Sequence, residues 1–228
     1  MVPALLEGWV VAARRRSETM EENRAKLIAA GRKAFASEGF AAASMDELTA
    51  SVGLTRGALY HHFGDKTGLL AAVVAQVDGE MAARAQLASA DAGDDWDRLL
   101  AEGAAYIAMA LDPEVRRIVL LDGPAFLGDP SHWPSQNECL EATKQAVATL
   151  IADGVMKRTD IEAAARLLCG AALNAALWVA ASDDPQSTLP KAVDAFRMMA
   201  EGFLCVRRSA TVSRRPRQPV ATDRRRGD

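Results

Sequence analysis

The chain has 228 residues, 50% of them apolar, and carries 27 Lys and Arg against 30 Asp and Glu. This length and composition indicate a globular protein with a sizeable core, in one domain or two small ones. No run of about 18 uninterrupted apolar residues occurs, so we expect no membrane-spanning segment and no membrane partner.

The charges are divided unevenly along the chain. Residues 1–70 carry 9 basic against 8 acidic residues, residues 71–205 carry 10 against 20, and residues 206–228 carry 8 against 2. An acidic surface repels a polyanion, so any contact with nucleic acid must be made near the two ends. The net charge of −3 therefore says nothing against DNA binding.

The beginning of the chain resembles a secretory signal only superficially, because its arginines follow the apolar stretch and Glu7 interrupts that stretch. We therefore reject a secretory leader. The three cysteines, Cys139, Cys169 and Cys205, are far apart and odd in number. This spacing disfavours a disulfide framework or a zinc site and indicates a reducing cytoplasm. We expect no metal and no cofactor.

Apolar residues recur three and four positions apart along most of the chain, and no alternating β-branched run lies between turn residues. The pattern predicts an all-α fold. We expect residues 1–19 to form a flexible extension, and a first helix to run from about Glu18 to Ser37 and end at Gly39.

Polar caps mark the next three helices. Ser44 and Glu47 form a capping box at the start of a short second helix, which ends near Gly53. Thr55 is the expected N-cap of a third helix, and Asp65 that of a long fourth one. The second and third helices have the spacing of a helix-turn-helix, whose third helix enters the major groove in DNA-binding proteins.

A small core supports this interpretation, because the apolar residues of the three helices can pack together. Its expected members are Phe35, Phe40, Met45, Leu48, Val52, Leu54, Leu59 and Phe63. The outward face of the third helix then presents polar and small residues.

Residues from about 24 to 70 resemble the DNA-binding domain of the tetracycline-repressor (TetR) family. The resemblance rests on F-x-x-x-G-F from Phe35 to Phe40, on helix entry at Ser44, and on V-G-L-T-R-G-A-L-Y-H-H-F followed by Lys66. It implies a three-helix DNA-binding domain over residues 20–66 and a helical ligand-binding and dimerisation domain over residues 67–206.

The resemblance also implies which residues contact a double-stranded DNA operator. The positions that commonly meet phosphates are matched by Ser44, Thr55, Tyr60, His61 and Lys66. Arg56 and Gly57 match positions that approach base edges, and a guanidinium can pair bidentately with guanine. The pair Met45-Asp46 departs from the family, whose members often have a β-branched residue followed by a basic or polar one. For His62, phosphate contact and packing stay open alternatives.

Turn-forming clusters divide the rest of the chain. Helices are expected near residues 94–111, 113–127, 135–153, 160–181 and 188–206. The resemblance implies that the last two form a four-helix bundle with a second copy, which gives a homodimer and an operator of two-fold character. The basic tail, residues 207–228, is expected to be disordered.

The resemblance further implies a small-molecule effector bound among the helices from 94 to 180. The candidate pocket residues are Trp96, Tyr106, Met109, Phe126, Trp133, Asn174 and Trp178. We expect a cytoplasmic repressor that its effector releases from a palindromic operator, while an activator or a ligand-independent regulator of the same family is the alternative.

Two further hypotheses compete with regulation. An all-helical enzyme could use His61 and His62, but adjacent helical residues point about 100° apart and no H-x-x-x-H partner occurs. We therefore predict no catalytic residues. A helical protein-interaction module would explain the last helices but not the stretch from Thr55 to Lys66.

Overall fold

The computed structural model describes residues 3–205, with side-chain surroundings given for residues 14, 15 and 17–205. This part of the chain is helical and contains one isolated antiparallel bridge, between Met156 and Leu204. The all-α prediction is thereby confirmed. The predicted basic tail, residues 207–228, lies outside the described residues.

The first helix, α1, spans Pro3–Glu38 and thus begins well before the predicted start near Glu18. The expected extension over residues 1–19 is therefore helical from Pro3 onwards. The alanines and arginines of this stretch favour a helix, and Arg14 Nε lies 2.9 Å from Glu18 Oε1 one turn away. At the other end Gly39 has a φ of 84°, which stops the helix.

Three capped helices follow. They are α2 over Met45–Ser51, α3 over Arg56–Phe63 and α4 over Lys66–Ser89. The N-cap side chains accept hydrogen bonds as predicted: Ser44 Oγ from Glu47 N at 3.4 Å, Thr55 Oγ1 from Ala58 N at 3.2 Å and Asp65 Oδ1 from Gly68 N at 2.7 Å. The turn between α2 and α3 uses a positive φ at Gly53.

The core of the N-terminal helices matches the prediction. Phe35, Phe40, Leu48 and Leu59 are buried, and the other four predicted members pack half-buried against them. Leu69 on α4 joins this core, so the long fourth helix is fixed to the helix-turn-helix. Burying such side chains contributes about 1.5–3 kcal/mol each.

The helices in the middle of the chain are shorter and more often interrupted than predicted. Helix α5 spans Asp95–Ala108 and continues as one 3₁₀ turn. The expected helix over 113–127 divides into α6 (Pro113–Val115), a π-helical segment (Arg116–Asp122) and α7 (Gly123–Leu127). Pro124 lacks an N–H and cannot continue the regular hydrogen-bond ladder, which accounts for the break before α7.

The last three helices are α8 over Pro134–Ala152, α9 over Ile161–Ala181 and α10 over Pro185–Glu201. Helix α10 ends before residue 206, the predicted end. Beyond Gly202 the backbone pairs with the loop after α8 instead: Lys157 N donates to Phe203 O at 2.8 Å, and Cys205 N donates to Val155 O at 2.9 Å.

Helix α9 is, within the described part of the chain, the one helix long and apolar enough to cross a membrane. The sequence argument excluded such helices because it required an uninterrupted apolar run, so that exclusion was too broad. In the fold α9 packs against α5, α8 and α10, with Ala165, Ala176 and Val179 fully buried. A core helix of a soluble protein passes the same length test, so this helix alone is weak evidence for a membrane.

Candidate DNA interface and helical-domain cavity

Helix α3 separates a buried face from an exposed one. Leu59 is 1% exposed and anchors the helix to the core. The predicted DNA-contacting residues of this helix and its cap lie on the outer face and are exposed: Thr55, Arg56, Gly57, Tyr60 and His61. A helix presented in this way can enter a major groove, and Gly57 lets DNA approach its backbone closely.

Arg56, at the start of α3, is already engaged within the chain. Its Nη1 lies 3.4 Å from Asp46 Oδ2, and its Nη2 donates to the hydroxyl of Tyr60 at 3.2 Å. The hydrogen bond that Arg56 donates to Tyr60 and then the charge of Asp46 raise the pKa of Arg56. The guanidinium is therefore held charged on the outer face, where it connects α2 to α3.

Lys66, the first residue of α4, also has partners in the free protein. Its Nζ donates to Ala41 O at 3.3 Å and lies 4.8 Å from the centroid of the Phe40 ring. The side chain is half-buried, so it lies over the loop between α1 and α2. A phosphate oxygen would replace the carbonyl of Ala41 as its hydrogen-bond acceptor.

The histidine pair is divided between two environments. His61 is exposed, whereas His62 is half-buried, with its ring centroid 6.0 Å from that of Phe63. The two imidazole centroids are 5.6 Å apart. No group of three His, Cys, Asp or Glu that could hold a metal ion occurs among the described residues.

Phe40 joins the DNA-facing helices to the helical domain. Its ring lies 5.5 Å from that of Phe35 on one side and 4.4 Å from that of Phe126 on the other. Its backbone N–H donates to Asp122 Oδ2 at 2.7 Å. The loop that carries Lys66's acceptor is therefore fixed to the π-helical segment and to α7.

A second set of contacts also joins the N-terminal helices to the helical domain. Arg32 on α1 pairs with Glu80 on α4 and with Glu114 on α6, both at 2.6 Å. The hydrogen bonds that Arg32 donates to Glu114 and then to Glu80 raise its pKa, whereas burial lowers it. Bidentate pairs of this kind restrict orientation more than single contacts do.

The helical domain contains a cavity of about 220 Å³ enclosed by α4, α5, α8, α9 and α10. Small side chains leave this space open, among them Gly79, Ala82, Gly103 and Ala172. Larger groups line the cavity as well, including Tyr106 on α5 and Phe196 on α10, whose ring packs against Gly103. A cavity of this size and apolar character suits a small organic molecule.

Polar groups converge at one end of this cavity. Asp78 on α4 is 3% exposed, and its Oδ2 accepts a hydrogen bond from Gln136 Nε2 at 3.0 Å. The same amide nitrogen lies 3.5 Å from the hydroxyl of Tyr106. Burial, and then the charge of Asp78, raise the pKa of Tyr106, so this phenol stays protonated.

Two thiols face each other across the α8–α9 side of the cavity. Both Cys139 and Cys169 line it, and Cys169 Sγ lies 3.3 Å from Thr143 Oγ1, one turn beyond Cys139 on α8. The contacts with Cys139 and then with Thr143 lower the pKa of Cys169. The neighbouring Cys169 in turn raises the pKa of Cys139.

Comparison with known proteins gives this arrangement a family. The crystal structure of a TetR-family transcriptional regulator from Pectobacterium atrosepticum is 47% identical, covers 82% of this chain and 96% of its own, and superposes with a TM-score of 0.75. The chain belongs to the TetR family. Residues 27–73 match the profile of bacterial regulatory proteins of the tetR family, and residues 96–203 that of the tetracyclin repressor-like C-terminal domain.

Other known proteins resemble a part of the chain, or its fold alone. The transcriptional regulator SrpR of Pseudomonas putida is 38% identical over 63 residues, and the repressor AcnR of Corynebacterium glutamicum is 35% identical over 60. The aligned segments cover only 30% and 32% of those curated relatives. RolR, solved with resorcinol, is 17% identical with a TM-score of 0.62 over 83% of this chain, which shows a shared fold.

Within this TetR-family fold, the predicted pocket residues lie in three different environments. Tyr106 lines the cavity. Trp96, Met109 and Trp133 are buried in the cores, and Phe126, Asn174 and Trp178 are exposed. The last six do not line this cavity, and their part in ligand binding stays a prediction.

Sequence reasoning also missed several residues of both sites. At the DNA-facing surface these are Asp46, which pairs with Arg56, and Arg24, whose guanidinium carbon lies 5.5 Å from the Phe63 ring centroid. In the cavity they are Asp78, Gln136 and the thiol pair. The sequence signal that could have indicated the cavity is the group of small residues on neighbouring helices, because cavities form where small side chains meet.

Proposed function

We propose that this protein is a dimeric, sequence-specific repressor that leaves a palindromic operator when a small molecule occupies the cavity between α4 and α10. It acts in the cytoplasm, where bacterial DNA is found. The observation that carries the proposal is the exposed outer face of α3, which presents a charged guanidinium, a phenol and an imidazole on a helix fixed by a buried core.

The chemistry of this face suits DNA. Arg56 supplies a fork of donors that matches guanine, whereas Lys66 and the hydroxyls of Ser44, Thr55 and Tyr60 suit phosphate oxygens. Arg56 has to exchange Asp46 for a base edge when DNA binds. Lys66 has to exchange the carbonyl of Ala41 for a phosphate.

Dimerisation is supported by an exposed apolar surface on the last two helices. Leu167 and Trp178 on α9 and Met198 and Met199 on α10 are all more than a third exposed. A contiguous apolar patch on a soluble protein marks an interaction surface. Other apolar residues of the same helices are buried within the chain and do not belong to this surface, namely Leu168, Ala172, Phe196 and Ala200.

Release requires the effector to bind one arrangement of the protein better than the other, because a ligand shifts an equilibrium only by its differential affinity. The path from cavity to DNA runs along α4, which carries Asp78 in the cavity and Lys66 at its start. It also needs the contact of Phe126 with Phe40, because Lys66 lies over the Phe40 ring. A coupling of about 1–3 kcal/mol changes operator affinity roughly 5- to 150-fold.

The direct test is selection of binding sites from a pool of random double-stranded oligonucleotides with the full chain. We expect a palindromic sequence to be enriched, and the Arg56→Ala variant to enrich a less defined one. A pool that shows no enrichment after repeated rounds, with folded dimeric protein, would refute sequence-specific regulation.

A further inference from the structure

The charged residues that line the cavity are of one sign. They are Asp78 on α4, Glu102 on α5 and Glu138 on α8, and among the residues that the structure describes no Lys, Arg or His lines the cavity. Glu138 is exposed, while Glu102 is half-buried and accepts a hydrogen bond from Ser89 Oγ at 3.1 Å. The formal charges that these described side chains can bring to the cavity are therefore negative.

Asp78 is the most buried of the three. It is 97% buried, since only 3% of its surface is exposed, and its one side-chain hydrogen bond from a described residue comes from the neutral amide of Gln136. Among the described residues Oδ1 receives no hydrogen bond, and Asp78 forms no ion pair. A buried carboxylate is costly unless an opposite charge compensates it, so this cavity is set to receive a positive group.

The walls beside Asp78 favour a particular kind of cation. Tyr106 and Phe196 contribute aromatic rings to the lining, and Leu99 and Leu168 contribute aliphatic surface. Aromatic faces attract quaternary ammonium groups, which carry charge without any N–H to satisfy. Apolar walls match the alkyl groups around such a nitrogen better than they match a hydrated inorganic ion.

We infer that the effector is an organic cation whose alkylated nitrogen lies beside Asp78, between the rings of Tyr106 and Phe196. This inference rests on the proposed function, because it specifies the chemistry of the molecule that causes release. An organic anion would lie beside three carboxylates, and a neutral ligand would leave the charge of Asp78 uncompensated.

A matched pair of ligands tests the charge requirement. The probes are (4-hydroxyphenyl)trimethylammonium and its neutral isostere 4-tert-butylphenol, which differ in one atom and one charge. Their affinities for the full-length protein are measured by isothermal titration calorimetry. We expect the cation to bind at least about tenfold more tightly than the phenol.

The variant Asp78→Asn keeps the shape of the side chain and removes its charge. We expect it to abolish the preference for the cation and to leave the affinity for 4-tert-butylphenol unchanged. Asp183→Asn, an exposed carboxylate in the turn after α9, is the control that removes one charge outside the cavity. Melting curves show that each variant is folded.

Equal affinities of the two probes, absence of cation binding, or an unchanged preference in Asp78→Asn would each overturn the inference. If Asp78→Asn does not fold, the wild-type preference is compared with that for 4-hydroxybenzoate, and tighter binding of this anion also overturns it. Operator binding by the ligand-free protein is measured separately. Normal DNA binding without a preference for the cation would refute only the inference that the effector is a cation. A failed DNA selection would refute the proposal that the protein is a sequence-specific regulator.

Discussion

Asp46 Oδ2 lies 3.4 Å from Arg56 Nη1, so the side chain expected to read the operator is paired with a carboxylate of the preceding helix. Both side chains are more than half exposed, which makes the pair weak, on the order of 0.2–1 kcal/mol. Its effect is therefore on the orientation and availability of Arg56 more than on the stability of the fold.

Asp46→Asn is expected to strengthen operator binding, because it frees Arg56 and removes a negative charge that faces phosphates. The gain should reach at most about fivefold, which corresponds to about 1 kcal/mol for an exposed pair. Fluorescence anisotropy with a labelled operator measures it. Asp194→Asn, an exposed carboxylate on α10, is the control and should leave the affinity unchanged. Weaker binding by Asp46→Asn would mean that the carboxylate positions Arg56 productively.

Arg56→Ala and Lys66→Ala should weaken DNA binding in different ways. Loss of a bidentate contact to guanine costs about 1–3 kcal/mol and relaxes preference at one base pair. Loss of a phosphate contact weakens binding nearly equally for all sequences. It also reduces the magnitude of the slope of log K against log salt concentration by about 1. Titrations against the selected site and a scrambled site, at several salt concentrations, separate the two. Identical behaviour of both variants would contradict the assigned roles.

Phe126→Ala should uncouple effector binding from DNA release. It removes a ring 4.4 Å from that of Phe40, the residue that also lies beneath Lys66. Because Phe126 is 43% exposed, we expect little loss of stability. The measurement is the ratio of operator affinities with and without ligand, which should approach one. Phe126→Tyr keeps the ring contact and should keep the wild-type ratio, and a full response in Phe126→Ala would exclude this route.

Leu167→Glu is expected to dissociate the dimer, since it places a charge on the exposed apolar surface of α9. Light scattering after size exclusion gives the mass, and a monomer should bind a palindromic site at least tenfold more weakly. Leu87 on α4 is more exposed still, at 76%, and Leu87→Glu serves as the matched control. A Leu167→Glu protein that stays dimeric would place the interface elsewhere.

Cys169 should react with iodoacetamide at lower pH than an ordinary thiol. The contacts with Cys139 and Thr143 lower the pKa of Cys169, so more of it is thiolate at neutral pH than of an ordinary thiol. Its alkylation rate, followed by peptide mass spectrometry, should rise through pH 7. Cys139→Ser should shift that rise, because the contact with Cys139 is the largest cause of the lowering. A rise only near pH 9 in the wild type would contradict the thiol contact.

The elements that the sequence predicted correctly depend on local chemistry. Ser44, Thr55 and Asp65 cap the helices that follow them, and Gly39 ends α1, because each acts on backbone groups within one turn. The core around Leu59 followed from helical periodicity. The exposed face of α3 is the complement of that core, so it was predictable as well.

Contacts between distant segments were not predictable in the same way. Asp46 was noted only as a departure from the family pattern, and its pairing with Arg56 depends on how α2 and α3 cross. The aromatic residues assigned to a pocket mostly fill cores or lie at the surface. The space itself lies where Gly and Ala meet, and a carboxylate buried there, such as Asp78, has no signature in a single sequence.

The π-helical segment between Arg116 and Asp122 sets how the residues that follow it are rotated about the helix axis. Its hydrogen bonds enclose one residue more than those of an α-helix. Conversion to a regular α-helix would turn the residues beyond it by about 100° around the helix axis. Asp122 and Phe126 would then both move away from Phe40. A change of one residue in the hydrogen-bond pattern would therefore release the DNA-facing loop from the helical domain in a single step.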